Sequence, residues 1–450
     1  MSISTHPAST ISSSTIKSSN MSMPRKAVVA AALGNATEWF DYGIYAYGLT
    51  FISAALFPGS QSEALYFGLA TFAISFLIRP LGGMFWGPLG DRIGRKRVLA
   101  MTVLMMSVAT FIIGILPTYQ SVGWIAPVAL IALRLIQGFS TGGEYGGAAT
   151  FLAEYAPDKR RGFYGSFLEF GSLAGFSLGA LVTLSVSVVI GDAAMYEWGW
   201  RVPFLIAAPL GVIAVYLRTR IEDTPVFLEL EKKMASEPVR PKTSIAEIFG
   251  KYKKAALSLG VLVAALNITY YILLAYMPTY MHKEVGASEN MSLLAPLVGM
   301  LAMMMFIPFA GRISDVVGFK KMWYFSLIGL FILAIPMFKL MSTGLTGSMI
   351  GFAVLGAFFV PQLATISAMF PAMFPTQIRY AALAIVYNIS ASIFGGTTPL
   401  VCDQIIKFLG SPDAPAYYIM IASALGIIAL FFVIETKGCS IRGDGIPGAK

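Results

Sequence analysis

The sequence is poor in charge. Only 12% of its 450 residues are Asp, Glu, Lys or Arg, against roughly 25% in an ordinary soluble protein. It holds two histidines, His6 and His282, in the N-terminal stretch and at the end of a hydrophobic segment, so histidine catalysis is not expected. It holds two cysteines, Cys402 inside a hydrophobic segment and Cys439 near the C-terminus. Their spacing gives no disulfide framework and no metal site. There is no P-loop and no G-x-S-x-G motif, which argues against an ATP-driven pump within this chain. No catalytic constellation and no cofactor motif takes their place, so an enzyme is not expected. Residues 1–22 are rich in Ser and Thr without an apolar core, the pattern of a disordered tail and not of a signal peptide.

What the sequence has in abundance is apolar length. It is 56% hydrophobic, with a mean hydropathy of +0.72. Apolar runs recur near 27–57, 64–89, 98–117, 123–153, 162–190, 200–219, 255–282, 291–314, 321–341, 347–371, 380–408 and 414–434. About 20 residues cross the hydrocarbon at 1.5 Å rise per residue, and a spanning backbone must satisfy its own hydrogen bonds, so all of these runs are expected to be helices. This predicts an all-α polytopic membrane protein with about twelve spans. With the N-terminus inside, the inward loops hold Arg92, Arg95, Lys96 and Arg97, then Lys159, Arg160 and Arg161, then Lys320 and Lys321, and a cluster from Arg218 to Lys254. The outward loops hold little beyond Arg201, Lys283 and Lys339. Both termini are therefore expected in the cytoplasm, and the net charge of +9 reflects orientation in the bilayer, not nucleic-acid binding.

The chain divides in two. Residues 220–254 are polar and carry Pro225, Pro238 and Pro241, which reads as a cytoplasmic linker. It separates a six-helix bundle at 23–219 from another at 255–435, with 436–450 as a tail. The halves also repeat. "GPLGDRIGRKR" at 87–97 returns as "GRISDVVGFKK" at 311–321, pairing Gly87 with Gly311, Asp91 with Asp315 and Gly94 with Gly318. "APDKRRGFYGS" at 156–166 returns as "FPTQIRYAALA" at 374–384, pairing Pro157 with Pro375 and Arg161 with Arg379. A duplicated unit around a central path is a transporter architecture.

On these residues the chain resembles the major facilitator superfamily, whose loop signature G-x-x-x-D-R-x-G-R-K matches 87–96 and whose R-x-x-Q-G pattern matches Arg134, Gln137 and Gly138. Within it, "LGNATEWFDYG", "FLIRPLGG", "QGFSTGGEYGGA", "GFYGSFLEFGSLAGF", "WGWRVPF", "NITYYILLAYMPTY" and "PAMFPTQIRYAALA" resemble the metabolite:proton symporters, and among those the proline/betaine transporters. The resemblance implies a proton-coupled importer of a small zwitterionic osmoprotectant, acting as a monomer in a bacterial cytoplasmic membrane by alternating access. A small carboxylic acid remains open as cargo on the same fold, and so, more remotely, does a transporter-like solute sensor. The C-terminal "ETKGCSIRGDGIPGAK" carries no heptads, so osmosensing through a coiled coil is not expected.

Charges within apolar runs are costly and mark function. In the first half they are Glu38, Asp41, Arg79, Arg134, Glu144 and Glu169; in the second, Asp403 and Lys407. Glu38 and Asp41 have no basic residue within ten positions and at i, i+3 share one helix face. Counting rise, Glu38, Arg79 and Glu144 sit at similar depth, roughly 15–18 Å in. Two neighbouring carboxylates resist joint ionisation, so Glu38 or Asp41, then Glu144, is the expected proton carrier, with Arg134 or Arg79 as counter-charge. Arg79 is also the candidate for a substrate carboxylate. The aromatic faces of Trp39, Tyr42, Tyr45, Tyr270 and Tyr271 are the candidates for an ammonium group, and Asn267 and Asn388 for added hydrogen bonds. Asp403 and Lys407, at i, i+4, read as a structural pair. A separate latch is expected from Asp91 docking at the N-terminus of the eleventh helix near Gln377–Tyr380. Gly87 and Gly94 allow the close approach, and Arg92, Arg95, Arg161 and Arg379 complete the latch.

Overall fold

The computed structural model describes residues 23–93, 95–220, 245–441 and 445–448. Gly94, most of the 220–254 linker and the 1–22 stretch lie outside the described residues. Twelve rods follow one another. In the first half they are α1 (Met23–Tyr47, resuming after Gly48 as Leu49–Leu56), α2 (Gln61–Leu77 and Arg79–Ile93), α3 (Arg95–Gly114), α4 (Ile125–Thr141 and Glu144–Tyr155), α5 (Arg161–Ile190) and α6 (Arg201–Arg220). In the second they are α7 (Lys253–Tyr271, continuing to Lys283), α8 (Glu289–Val317), α9 (Phe319–Met341), α10 (Leu345–Met369), α11 (Thr376–Phe394 and Thr398–Leu409) and α12 (Ala414–Leu430).

Among the described residues, eight helices are long and apolar enough to cross a membrane. Shorter apolar helices at Ala100–Gly114, Arg201–Ile213 and Ala414–Leu430 fill the places of α3, α6 and α12, and α1 fills the remaining place. No strand occurs among the described residues. This is an all-α, multi-pass membrane fold of two pseudo-symmetric halves.

The symmetry is visible in the packing. In the first half α1 lies on α5, α3 on α6, and α2 on α4; in the second α7 lies on α11, α9 on α12, and α8 on α10. Across the halves α5 meets α8 and α10, and α11 meets α2 and α4. Small residues allow these approaches. A Cβ added at Gly171 would fall 2.4 Å from the Ala32 carbonyl oxygen, and one at Gly175 only 2.0 Å from that of Ala36, so the glycine stripe of α5 brings its backbone against α1. Local signals set the ends. Ser60 and Glu63 form a capping box at the start of α2, and Gly318, at φ +110°, joins α8 to α9.

The rods break at mid-depth. α2 is interrupted at Ile78 and α4 at Gly142–Gly143, α7 contains a π-helical stretch at Ile272–Tyr276, and α11 breaks at Gly395–Thr397. Irregular backbone at membrane depth is tolerated where protein or a cavity surrounds it, and in transporters it collects around the substrate.

Candidate substrate and proton site

The broken rods surround an aromatic cluster shared by both halves. Trp39 of α1 lies with its ring centroid 5.0 Å from Tyr270 and 6.3 Å from Tyr271, both of α7. Tyr42, Phe72 and Phe76 continue the cluster on the first-half side, Phe76 reaching Tyr271 at 5.2 Å. These rings are buried, as are Glu38, Asp41 and Arg79.

Arg79 begins the second segment of α2, directly after the break at Ile78. Its guanidinium lies 4.1 Å from the Phe76 ring centroid and 4.8 Å from that of Tyr42. Glu38 faces it, with Oε1 3.9 Å from Nη2, an ion-pair distance too long for a hydrogen bond. Nε and Nη2 of Arg79, Nε1 of Trp39 and the Tyr270 hydroxyl are buried without a hydrogen-bond partner among the described residues. Buried donors are almost always paired, and these four unpaired donor groups gather around one cluster.

Asp41 belongs to a different environment. The Thr110 hydroxyl lies 2.9 Å from its Oδ2 and accepts a 2.6 Å hydrogen bond from Gln137 Nε2. Arg134 donates to Gln137 Oε1 at 3.0 Å and to Ser75 Oγ at 3.1 Å, with its guanidinium 4.1 Å from the Tyr45 ring centroid. The expectation from spacing was two carboxylates acting on one another. The structure instead gives Glu38 to Arg79 at the junction of the halves and Asp41 to a polar chain inside the first half. The i, i+3 rule fixes a face of α1; it does not say that α2 meets one residue of that face and α3 the other.

The remaining candidates are placed as follows. Glu144 is buried at the start of the second segment of α4. Asn388 of α11 donates across the halves to the Gly142 carbonyl at 2.8 Å, pairing an acceptor that the break in α4 exposes. Asn267 donates to Val263 O at 2.8 Å within α7. Asp403 pairs with Lys407 at 2.8 Å as its spacing implied, and also with Lys283 of α7. Sequence reasoning assigned no role to Tyr145, which donates to Glu169 at 2.8 Å and stacks on Tyr387 of the other half. A groove of about 710 Å³ between α7, α11 and α12, lined by Leu257, Ile268, Ile393 and Leu425, takes no residue from the aromatic cluster. Its apolar, partly exposed wall is that of a lipid-facing surface.

At the end carrying the termini, Asp315 accepts from the backbone N–H groups of Gly162 and Phe163. The side chains of Asp91, Arg92 and Arg95, like Gly94, lie outside the described residues; Gly87 is helical within α2. Arg161 donates to the carbonyls of Thr436 at 2.7 Å and Cys439 at 3.2 Å. Arg379 donates to Ile441 O and Pro371 O and pairs with Glu154 at 3.4 Å. The two arginines thus clasp the C-terminal segment, which was expected to be a featureless tail.

A family model described as "Sugar (and other) transporter" matches residues 26–443. The chain belongs to that transporter family. The family is one of transporters, not enzymes. The chain is 42% identical over 426 residues to the proline/betaine transporter of Escherichia coli strain K12, covering 93% of this chain and 85% of that one. It is equally similar, with the same coverage, to the glycine betaine/proline/ectoine/pipecolic acid transporter OusA of Dickeya dadantii. To the ectoine/proline transporter ProP of Corynebacterium glutamicum it is 40% identical over 451 residues, 96% of this chain and 88% of that one. In fold, this family member is similar to the major facilitator proton:xylose symporter XylE bound to 6-bromo-6-deoxy-D-glucose, with a TM-score of 0.73 at 18% identity over 93% of this chain and 98% of that one. The partially occluded inward-open form of XylE from E. coli gives 0.70 at 18% identity, over 93% and 100%.

Proposed function

We propose that this transporter is a proton-coupled importer of a small zwitterion of the proline or glycine betaine kind. The observation that carries the reading is the central cluster: unpaired donors of Arg79, Trp39 and Tyr270 within a wall of aromatic rings. A carboxylate is the acceptor those donors lack, and an arginine fork suits it. The ring faces suit a quaternary or secondary ammonium, and Glu38 balances it. Arg79 is set against Glu38 at the junction of the halves, a balance that matches a molecule of zero net charge better than a dianion. The names of the relatives point the same way.

Asp41 is the proton carrier in this reading. Its partner Thr110 also lies 2.9 Å from Met106 O. The hydroxyl donates to the Asp41 carboxylate, and turns to Met106 O when a protonated Asp41 donates to it. The hydrogen bond thus survives either protonation state, as a carrier requires. Arg134 sets the field and Glu144 lies on the exit side. The cycle in this reading is rocking of the two halves, and the basic loops support an orientation with both termini in the cytoplasm of a bacterial cell. The working unit is the monomer.

The test is uptake into proteoliposomes of labelled proline, glycine betaine and a dicarboxylate, with and without an inwardly directed proton gradient. Accumulation of the two zwitterions that collapses without the gradient is expected. Accumulation of the dicarboxylate alone overturns the cargo, and gradient-independent accumulation overturns the coupling.

A further inference from the structure

Below the aromatic cluster, toward the termini, the halves touch in layers. Just below the Asn388–Gly142 hydrogen bond, Tyr145 of α4 stacks against Tyr387 of α11, ring centroids 4.3 Å apart at 18° between planes. Tyr145 is ten residues from the end of its segment at Tyr155, and Tyr387 eleven from the start of α11 at Thr376, so both lie about 15–17 Å in. Nearer the end, an added Cβ at Gly146 would meet Ala384 at 3.2 Å and one at Gly165 would meet Ser367 at 3.2 Å. The tyrosine pair is therefore the first stacked-ring barrier between the cluster and the terminal side.

Tyr145 is held at both ends. Its ring rests on the second half, and its hydroxyl donates to Glu169 Oε1 at 2.8 Å within the first. The stretch of α5 that carries Glu169 is tied to α1. Asn35 of α1 donates to Leu168 O and to Ser172 Oγ on either side of Glu169. The Glu169 carboxylate also lies close enough to the phenols of Tyr270 and Tyr387 to act on them electrostatically. It thus holds the gate through Tyr145, and its field reaches Tyr270 at the edge of the aromatic cluster.

We infer that Glu169 is a positioning residue of the gate: it bolts Tyr145 onto Tyr387 while the site is empty, and it lets go when the cationic end of the solute draws its carboxylate toward the cluster. The first part stands on the contacts alone. The second rests on the zwitterion reading above. No bond is made or broken; one hydrogen-bond donor is exchanged for an ammonium group. The Tyr145 ring then loses its anchor and the stack becomes free to part.

The test uses full-length protein in liposomes with Cys402→Ser and Cys439→Ser, so that a single thiol at Ala384→Cys reports the gate. Gly146 covers that thiol while the halves touch. A membrane-impermeant maleimide is trapped inside the liposomes, and labelling is followed in molecules whose termini face inward. In the parent, glycine betaine or proline is expected to raise labelling. Tyr145→Phe, which keeps the ring and loses the hydroxyl, should raise labelling about ten-fold without solute, the weight of a hydrogen bond to a charged group, and remove most of the further rise. Glu169→Gln keeps an acceptor for Tyr145 but no charge, so it should leave basal labelling low and abolish the solute-induced rise. Tyr387→Leu removes the stack without touching Glu169 and should match Tyr145→Phe, which covers the case of a poorly folded Glu169 variant. Unchanged basal labelling in both Tyr145→Phe and Tyr387→Leu overturns the bolt. A full solute-induced rise in Glu169→Gln overturns the sensing step. A parent that does not respond to either zwitterion counts against the cargo reading, while the basal arms still decide the bolt.

Discussion

Asp315 at the end of α8 caps Gly162 at the start of α5, its carboxylate oxygens accepting the N–H groups of Gly162 at 2.7 Å and Phe163 at 3.0 Å. The contact joins the two halves, and it sets a negative charge on the positive end of a thirty-residue helix. The repeat pairs Asp315 with Asp91 and residues 162 and 163 with 380 and 381. The docking expected of Asp91 at the start of α11 is thus realised by its counterpart at the start of α5. Asp315→Asn keeps one acceptor and loses the charge. It should weaken closure of the terminal end by roughly 1–2 kcal/mol, read as faster hydrogen exchange at the first turns of α5. Exchange identical to the parent would remove Asp315 from the closure. Asp91→Asn should depress transport while membrane insertion stays normal.

Asp41 and Glu38 are predicted to fail differently. Asp41→Asn cannot release a proton, yet it can still hydrogen bond to Thr110. It should lose uphill, gradient-driven accumulation and keep exchange of labelled for unlabelled solute at equal concentrations. Glu38→Gln removes the counter-charge of Arg79 and should weaken solute binding in both assays. If Asp41→Asn still accumulates solute against its gradient, the carrier is another group.

The contrast between these two acids shows what a sequence discloses here. Family, helix content and duplication were legible because they rest on patterns along the chain: apolar runs of spanning length, the 87–97 signature, and its echo at 311–321. The buried charges were legible as unusual because charge in such runs is costly. Their partners were not. Gln137 was legible only as part of the R-x-x-Q-G pattern beside Arg134; Thr110 and Ser75 are ordinary polar residues in apolar runs, and only the packing of the helices brings Thr110 to Asp41 and Ser75 to Arg134. Tyr145 was hidden for the same reason: a tyrosine in a membrane helix has no distinguishing spacing. The seating of the C-terminal segment was invisible, because the groups that Arg161 and Arg379 grip are backbone carbonyls, which every residue possesses.

Arg79 is predicted to resist conservative replacement. Lysine keeps the charge but not the planar fork, and its ammonium would have to leave the face of Phe76. Arg79→Lys should weaken binding of proline or betaine by about ten-fold or more, in line with the loss of a bidentate, charge-assisted contact. Trp39→Phe keeps a ring against Tyr270 and deletes only Nε1–H. It should cost less, about five-fold. Equilibrium binding of labelled solute measures both. Equal, small effects would place the carboxylate elsewhere.

The C-terminal segment is predicted to restrain the cycle. Ile441 is buried beside Ala153 of α4 in the first half and Ala372, before α11, in the second. Its carbonyl is held by Arg379, while Arg161 of α5 holds Thr436 and Cys439. One short segment therefore touches both halves at the end where they must separate for solute to leave toward the termini. Glu435 anchors its beginning by accepting from the N–H groups of Phe319 and Lys320 at the start of α9. Ile441→Ala should cost the seated segment about 2 kcal/mol, enough to raise the released fraction roughly thirty-fold while it remains the minor state. Glu435, Arg161 and the central cluster are untouched by that change, so solute binding from the far side should stay within about two-fold. Protease cleavage after Lys437 or Arg442 should accelerate, and so should solute exit toward the terminal side. Faster cleavage with unchanged exit would show that the segment is seated there without restraining the halves.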